Sequence, residues 1–175
     1  MDCGTVPRMS PAKKAPKKPA DRKVGTNAES QLTGFLAKYS PEIEALAKAA
    51  RAKMRSRLPG AIELVYDNYN ALAIGYAPSE RASEAIFSIA LYPQWVSLFF
   101  LQAKELRDPN GLLRGSGRVV RHIVLQRPDD LDLPAVRDLM EQALESAKVG
   151  LDPKAPRRLV IKSVSAKQRP RWPKS

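Results

Sequence analysis

Cysteine and histidine are almost missing from this sequence, which contains one of each, Cys3 and His122. A single cysteine cannot form an internal disulfide, which fits a reducing compartment. A single histidine excludes a metal site built on several histidines, and the sequence lacks zinc-ligand spacing, a dinucleotide fingerprint, a Ser-His-Asp arrangement and paired-carboxylate spacing. We therefore predict no metal site and no cofactor. These absences favour a non-enzymatic protein but leave enzymatic activity open.

Long apolar runs are lacking as well. No stretch approaches the roughly 18 apolar residues that are needed to span a bilayer. The first basic residues are followed by the lysine- and proline-rich stretch 12–19, where a secretory signal would have its apolar segment. We expect a cytoplasmic protein that does not associate with a membrane.

Acidic residues are scarce at both ends of the chain, and this distribution explains the net charge of +12. Residues 1–27 hold seven Lys or Arg and two Asp, and residues 151–175 hold eight Lys or Arg and one Asp. Residues 28–150 hold fifteen charges of each sign. The excess positive charge therefore belongs to the two terminal segments, while the central part is neutral in total.

Composition divides the chain into three segments. Residues 1–27 are rich in lysine and proline and have little to bury, which predicts a disordered basic tail. Residues 28–150 have the mixed composition of one globular domain. Residues 151–175 form a second basic, proline-containing tail. Its apolar residues 159–161 could attach to the domain, but its end is expected to be mobile.

Helical periodicity occurs at three places in the central segment. The first helix has a candidate cap at Asn27 or Ser30, and the second has Ser40 as N-cap and Pro41 at its first position. The third begins after Asp132, a good N-cap, and its apolar stripe is ended by Gly150. One face of each helix is apolar: Leu32, Phe35, Leu36 and Tyr39 in the first, Ile43, Leu46, Ala47, Ala50 and Met54 in the second, and Val136, Leu139, Met140, Ala143, Leu144 and Ala147 in the third.

Strand-like alternation of apolar residues is concentrated in residues 62–125. Within it, 85–101 consists of two apolar runs around a turn with Pro93 in its second position, which predicts a β-hairpin. If Tyr92 and Trp95 close that turn, Leu91 faces Val96, Ile89 faces Leu98 and Phe87 faces Phe100. Strands joined by tight turns predict an α+β domain, with a small antiparallel sheet of four to five strands packed by two N-terminal helices and one C-terminal helix.

Five stretches of the sequence carry a likeness to a known family: 63–72, 85–89, 92–100, 115–118 and 120–123. On these stretches the chain resembles the bacterial YdhG-like family, a domain of unknown function (DUF1801), over roughly residues 30–148 and not in the tails. The resemblance implies a small sheet packed by helices and, for some members, a frataxin-like role in iron handling. It implies no catalytic residues, because the family has no agreed activity.

A glycine-containing basic loop is the best candidate site. Two glycines allow backbone N–H groups to point at an anion, a serine adds a hydroxyl, and arginines bind phosphate or carboxylate through two nitrogens. The alternative is a plain turn that leads into a strand. The anion-binding candidates are Arg114, Gly115, Ser116, Gly117, Arg118, Arg121 and His122.

Three further groups of residues are candidates for binding. An aromatic group either lines a pocket, stacks on bases or belongs to the core. Four lysines of the N-terminal tail can neutralise phosphates without recognising sequence. The basic face of the second helix either contacts an anion or is a solvated surface. In that order, the groups are Tyr66, Asn68, Tyr69 and Trp95; Lys13, Lys14, Lys17 and Lys18; and Lys48, Arg51, Lys53, Arg55 and Arg57.

These features together favour a non-enzymatic binding module whose basic tails give weak, non-specific association with nucleic acid or other anions. Tails that only aid solubility are one alternative. Iron handling, as in frataxin-like relatives, and an enzyme that acts on a small anionic substrate at the loop 115–122 are the others. Neither the physiological ligand nor the oligomeric state follows from the sequence.

Overall fold

The computed structural model describes residues 20–172, with side chains from Asn27 onward. Helices flank one sheet in this range, which confirms the predicted α+β class. Residues 1–19, with Lys13, Lys14, Lys17 and Lys18, and residues 173–175 lie outside the described part. The helices are α1 (Ala20–Leu36), α2 (Pro41–Arg57) and α3 (Pro134–Glu145), and the strands are β1 (Ile62–Asp67), β2 (Leu72–Ala77), β3 (Phe87–Leu91), β4 (Val96–Phe100), β5 (Arg121–Leu125) and β6 (Arg158–Val164).

The strands form one sheet in the order β5-β4-β3-β2-β1-β6. The first five pair antiparallel with their neighbours, whereas β6 pairs parallel to β1. The sheet is therefore mixed and has six strands, where four to five antiparallel strands were predicted. Edge strand β6 gave little signal in the sequence because none of its side chains is fully buried. Charged residues on such a strand also discourage pairing with other chains.

The predicted hairpin is confirmed in its register. Leu91 pairs with Val96, Ile89 with Leu98 and Phe87 with Phe100. The Phe87 and Phe100 rings meet edge to face at 5.6 Å. Burial of this apolar face determines the register, because a slip of one residue would expose it to water.

One large core joins the three helices to one face of the sheet. Ser40 caps α2 by accepting a hydrogen bond from the Ile43 N–H, as predicted. Tyr39 lies in the short connection between α1 and α2. Its hydroxyl donates to the Leu91 carbonyl at 3.0 Å and accepts from the Leu72 N–H at 3.1 Å. No helix in the described range is long and apolar enough to cross a membrane.

The predicted N-cap role of Asp132 is wrong. The N-cap of α3 is Leu133, which makes no side-chain capping bond, and the helix ends at Glu145 instead of continuing to Gly150. The Asp132 carboxylate binds Lys53 at 2.5 Å and the guanidinium of Arg57. Bonds to two cationic side chains are stronger than one bond to a backbone N–H, so Asp132 joins α2 to the start of α3 instead of capping a helix.

The two predicted tail boundaries are also corrected. Helix α1 begins at Ala20, inside the predicted N-terminal tail 1–27. The predicted mobile tail 151–175 contains β6, and its residue Arg171 is only 4% exposed. Residues 151–172 are ordered because the backbone of β6 pairs with β1, Leu159 and Ile161 pack on the core, and Arg171 binds Asp67.

Candidate functional site: an aromatic cleft at one end of the sheet

Two turns lie side by side at one end of the sheet. Strand register places Asp67 opposite Leu72, Leu72 opposite Leu91, and Leu91 opposite Val96. The β1–β2 turn (residues 68–71) and the β3–β4 turn (residues 92–95) must therefore be neighbours, because antiparallel strands bring alternate turns to the same end. A cleft of about 850 Å³ lies between them and the C-terminal segment.

Three aromatic side chains line this cleft, which we call the aromatic cleft. Its walls include Asn68, Tyr69, Tyr92, Gln94, Trp95 and Arg169. The Tyr92 and Trp95 rings stack with centroids 4.8 Å apart, across a turn closed by the Tyr92 N–H and the Trp95 carbonyl at 2.9 Å. Tyr69 is 52% exposed and Trp95 is 42% exposed, so ring surface remains open to a ligand.

The third wall comes from the end of the chain, residues 165–172, which we call the C-terminal strap. The backbone N–H of Ser165 donates to the Asp67 carbonyl at 2.8 Å, and that of Arg169 donates to the Tyr69 carbonyl at 2.9 Å. The Arg169 guanidinium donates to the Asn70 side chain at 3.3 Å. Among the described residues that line the cleft, Arg169 is the one with a charge.

A buried ion pair holds the strap beneath the cleft. The Arg171 guanidinium donates through Nη2 to the Asp67 carboxylate at 2.9 Å and to the Asn68 carbonyl, and both charged side chains are at most 3% exposed. Its Cζ lies 5.7 Å from the centre of the Tyr39 ring, a cation–π distance. Burial raises the pKa of Tyr39 to about 12, so this ring stays neutral at physiological pH.

Three of the four predicted pocket residues, Asn68, Tyr69 and Trp95, lie together in this cleft. Tyr66 does not: it lies within β1, before the turn, and faces the side of the sheet opposite to Val65. Tyr66 packs instead against a small second cluster around Leu64, on the face of the sheet away from the helices.

Sequence reasoning missed Arg169 and Arg171 as residues of the site. The sequence does contain a signal for them, the stretch Arg169-Pro170-Arg171-Trp172, in which an aromatic residue follows two arginines. Its proline and its charge favour a mobile tail when the sequence is considered alone. The buried carboxylate of Asp67, about a hundred residues earlier, fixes its position together with backbone bonds to β1 and the adjoining turn.

The predicted anion-binding loop has a different geometry. Arg114 and His122 exchange two backbone hydrogen bonds, at 2.7 and 3.0 Å. The Arg121 guanidinium donates to the Leu113 carbonyl at 2.7 Å and to the Arg114 carbonyl at 3.3 Å, so part of its donor capacity is used within the loop. Gly115 has a positive φ of 106°, which allows the tight turn.

The other residues of that loop are arranged on the surface. Gly115, Ser116, Gly117 and Arg118 are exposed, as is Arg114. The His122 ring stacks on Phe99 at 5.0 Å. Burial lowers the pKa of His122, and the positive charges of Arg114 and Arg121 lower it further, so the imidazole is neutral at physiological pH. This arrangement resembles a turn that leads into β5 more than a cradle for an anion.

The basic face of α2 is paired with acidic side chains. Arg51 binds Glu63 through Nε and Nη2 and Glu29 through Nη1 and Nη2, at 2.7–3.1 Å. Burial lowers the pKa of Arg51, but the hydrogen bonds to Glu63 and Glu29 outweigh it and raise the pKa overall. The other members pair as Lys48 with Glu44, Lys53 with Asp132, Arg55 with Glu29 and Glu63, and Arg57 with Asp132. Little of this charge is left for an external anion.

Acidic, histidine and cysteine residues form no group of three or more that could hold a metal ion among the side chains that the structure describes, from Asn27 to Trp172. The comparisons with known proteins add no assignment, since no protein-family model, curated protein or solved structure matches the chain. The resemblance to the YdhG-like family therefore stays a prediction, and the iron-handling alternative rests on that resemblance alone.

Proposed function

We propose that this protein is a non-enzymatic module that binds nucleic acid, with single strands held at the aromatic cleft and the basic terminal segments adding non-specific attraction. The observation that carries the proposal is the pair of exposed rings, Tyr69 and Trp95, on a cleft whose strap contributes Arg169. Exposed rings stack on any base, and each stacked base contributes roughly 1–3 kcal/mol.

Charge distribution supports the same ligand. Fifteen acidic and fifteen basic residues balance in residues 28–150, and the basic face of α2 is already paired there. The excess of basic residues lies in the two terminal segments, one of which provides a wall of the cleft. Basic segments of this kind neutralise phosphates and release counterions, so their contribution depends strongly on salt and not on sequence. Such a partner suits the cytoplasmic location that we expect.

The test is a titration of fluorescent single-stranded oligo(dT), about 12 nucleotides long, and of a duplex of the same length, with the full chain. Trp95→Ala and Tyr69→Ala remove rings without changing charge. Each is expected to weaken oligo(dT) binding by about tenfold, the equivalent of roughly 1.4 kcal/mol, and duplex binding much less. Val149→Ala removes exposed apolar surface outside the cleft and serves as the matched control.

The terminal lysines are tested separately. Replacing Lys13, Lys14, Lys17 and Lys18 by alanine should weaken binding of both probes and reduce the slope of log K against log salt between about 50 and 200 mM. No binding of either probe at low salt would refute the proposal. Equal binding by the wild type and both ring variants would refute the role of the cleft and leave only electrostatic attraction.

A further inference from the structure

The anchoring of the C-terminal strap has a feature that stability alone does not explain. Arg171 uses Nη2 for both of its hydrogen bonds, while its Nε and Nη1 are buried and have no partner among the described residues. Buried N–H groups without partners cost free energy, so they reduce the net stabilisation that Arg171 gives through its bonds to Asp67 and Asn68. Stability alone is therefore a weak explanation for an arginine at position 171.

The position of Arg171 in the strap gives a second explanation for the arginine. Arg171 lies two residues after Arg169 and one after Pro170, the two strap residues that line the aromatic cleft. Its carboxylate partner, Asp67, and its carbonyl partner, Asn68, are the last residue of β1 and the first of the adjoining turn. The bond thus ties the strap directly to one of the two turns that form the cleft.

We propose that Arg171 is a positioning residue for the aromatic cleft: bound to Asp67, it holds the strap as a wall and so places the charge of Arg169 beside the exposed rings. The proposal rests on the proposed function and refines its ligand to a nucleotide unit of single-stranded nucleic acid, whose base stacks on a ring while its phosphate meets Arg169. A ring supplies no attraction for phosphate, so both parts of the site are required.

The anchor can be removed without leaving Asp67 unpaired. Lys38, which lies outside the strap, donates to its Oδ2 at 3.1 Å independently of Arg171. Variants at position 171 are therefore expected to fold, with the effect concentrated in the strap. Lysine at this position keeps the charge but loses the planar guanidinium that reaches both the Asp67 carboxylate and the Asn68 carbonyl.

The first measurement is hydrogen exchange of the strap in the full chain, without ligand. Arg171→Lys and Arg171→Ala should speed exchange of the Ser165 and Arg169 N–H groups by about tenfold, because these donors bond to the Asp67 and Tyr69 carbonyls only when the strap is docked. Arg169→Ala should leave the exchange of Ser165 unchanged. Unchanged exchange in both Arg171 variants would overturn the proposal.

The second measurement is binding of the oligo(dT) probe and of a methylphosphonate oligo(dT) whose backbone is uncharged. Arg171→Lys, Arg171→Ala and Arg169→Ala should each weaken binding of the charged probe about tenfold, as expected for losing one charge-assisted contact. They should leave binding of the uncharged probe within about twofold of wild type, since stacking remains. Arg107→Ala, an exposed arginine outside the cleft, is the matched loss of charge.

The outcomes separate this proposal from the proposed function. If the Arg171 variants weaken both probes equally, the residue acts only by general support of the fold, and the positioning role is refuted. If the strap N–H groups of Arg171→Lys exchange faster but this variant binds the charged probe like wild type, the positioning role is refuted. The proposed function then stands if the ring variants still weaken binding. If Trp95→Ala and Tyr69→Ala also have no effect, the proposed function fails, and the refined ligand fails with it.

Discussion

Strand β1 carries a buried carboxylate near each end, Glu63 and Asp67, and each is bound by an arginine. Both carboxylates are 1% exposed and face the helices. Arg51, the partner of Glu63, is twelve residues away on α2, whereas Arg171, the partner of Asp67, is 104 residues away in the strap. Both ends of β1 thus carry a buried arginine–carboxylate pair. The arginine is near in sequence at the Glu63 end and distant in sequence at the Asp67 end.

The two guanidiniums differ in how fully they are bonded. Each nitrogen of Arg51 donates to a carboxylate oxygen, whereas Arg171 uses one nitrogen and leaves two buried without partners in the described part of the chain. A saturated guanidinium contributes mainly to stability, because no desolvated donor is left unpaired. An unsaturated one is better explained by what it positions. We conclude that the Glu63 end supports the fold, while the Asp67 end builds the cleft.

The largest effect should come from breaking the Glu63 end. Arg51→Ala leaves Glu63 buried, with Arg55 at 3.4 Å as its remaining cationic partner among the described residues. The expected loss is about 3–5 kcal/mol in the free energy of unfolding, as for other buried pairs that lose one partner. Urea denaturation measures it, with Lys48→Ala as the control, because its exposed pair with Glu44 contributes at most about 0.5 kcal/mol. A loss below roughly 1 kcal/mol would contradict a stabilising role for this end.

A second variant tests how the C-terminal segment is held at the Glu63 end. Gly60 has a φ of 81°, and a Cβ there would overlap the carbonyl oxygen of Asp152. Gly60→Ala should cost more than the roughly 1–3 kcal/mol of backbone strain alone, because the 152–153 backbone must also move. Gly111→Ala is matched in φ, at 62°, but has open space around it, so strain alone is expected. Equal losses of unfolding free energy for the two would show that the contact with Asp152 is unimportant.

Breaking the pair at the Asp67 end should lower the free energy of unfolding by less, and a second substitution should restore most of it. Arg171→Met is expected to lower the free energy of unfolding by about 1–3 kcal/mol, since Lys38 still binds Asp67. Adding Asp67→Asn should restore most of that loss, because the buried charge is removed together with its partner. Thermal melts of the wild type, both single variants and the double variant provide the double-mutant cycle that measures the coupling of Arg171 and Asp67. A double variant that is as unstable as the sum of the singles would mean that the pair is not coupled.

The smallest effect is a pH dependence at the Glu63 end. Hydrogen bonding to Arg51 lowers the pKa of Glu29, although burial partly opposes this. Because the folded pKa lies below the unfolded value of 4.5, the contribution of Glu29 to stability is present above pH 4.5 and is lost as the pH falls through the folded pKa. In Glu29→Gln, the free energy of unfolding should therefore depend less on pH below pH 4.5 than it does in the wild type. An unchanged profile in urea titrations at pH 6 and about pH 3.5 would exclude this contribution.

Features that depend on neighbouring residues could be predicted from the sequence. The Ser40 cap and Pro41 start of α2 need only a few consecutive residues, and the hairpin register follows from two apolar runs around one turn. Three of the cleft residues were named for their aromatic or amide side chains. The two neighbouring turns that form the cleft and the wall contributed by the strap were not predicted, because they depend on segments that are adjacent only in the folded structure.

Composition and alternation by themselves determined the α+β class, the hairpin and the concentration of positive charge at the two ends of the chain. Only the tertiary structure decided that the C-terminal segment belongs to the domain, that Asp132 joins two helices instead of capping one, and that Arg171 lies against Asp67. For the C-terminal segment, one reason is the pairing of β6 with the distant strand β1, which local sequence does not specify. For Asp132 and Arg171 the reason is charge. A charged side chain has no preferred place in the local sequence, and its position is decided by the distant group of opposite charge that compensates its burial.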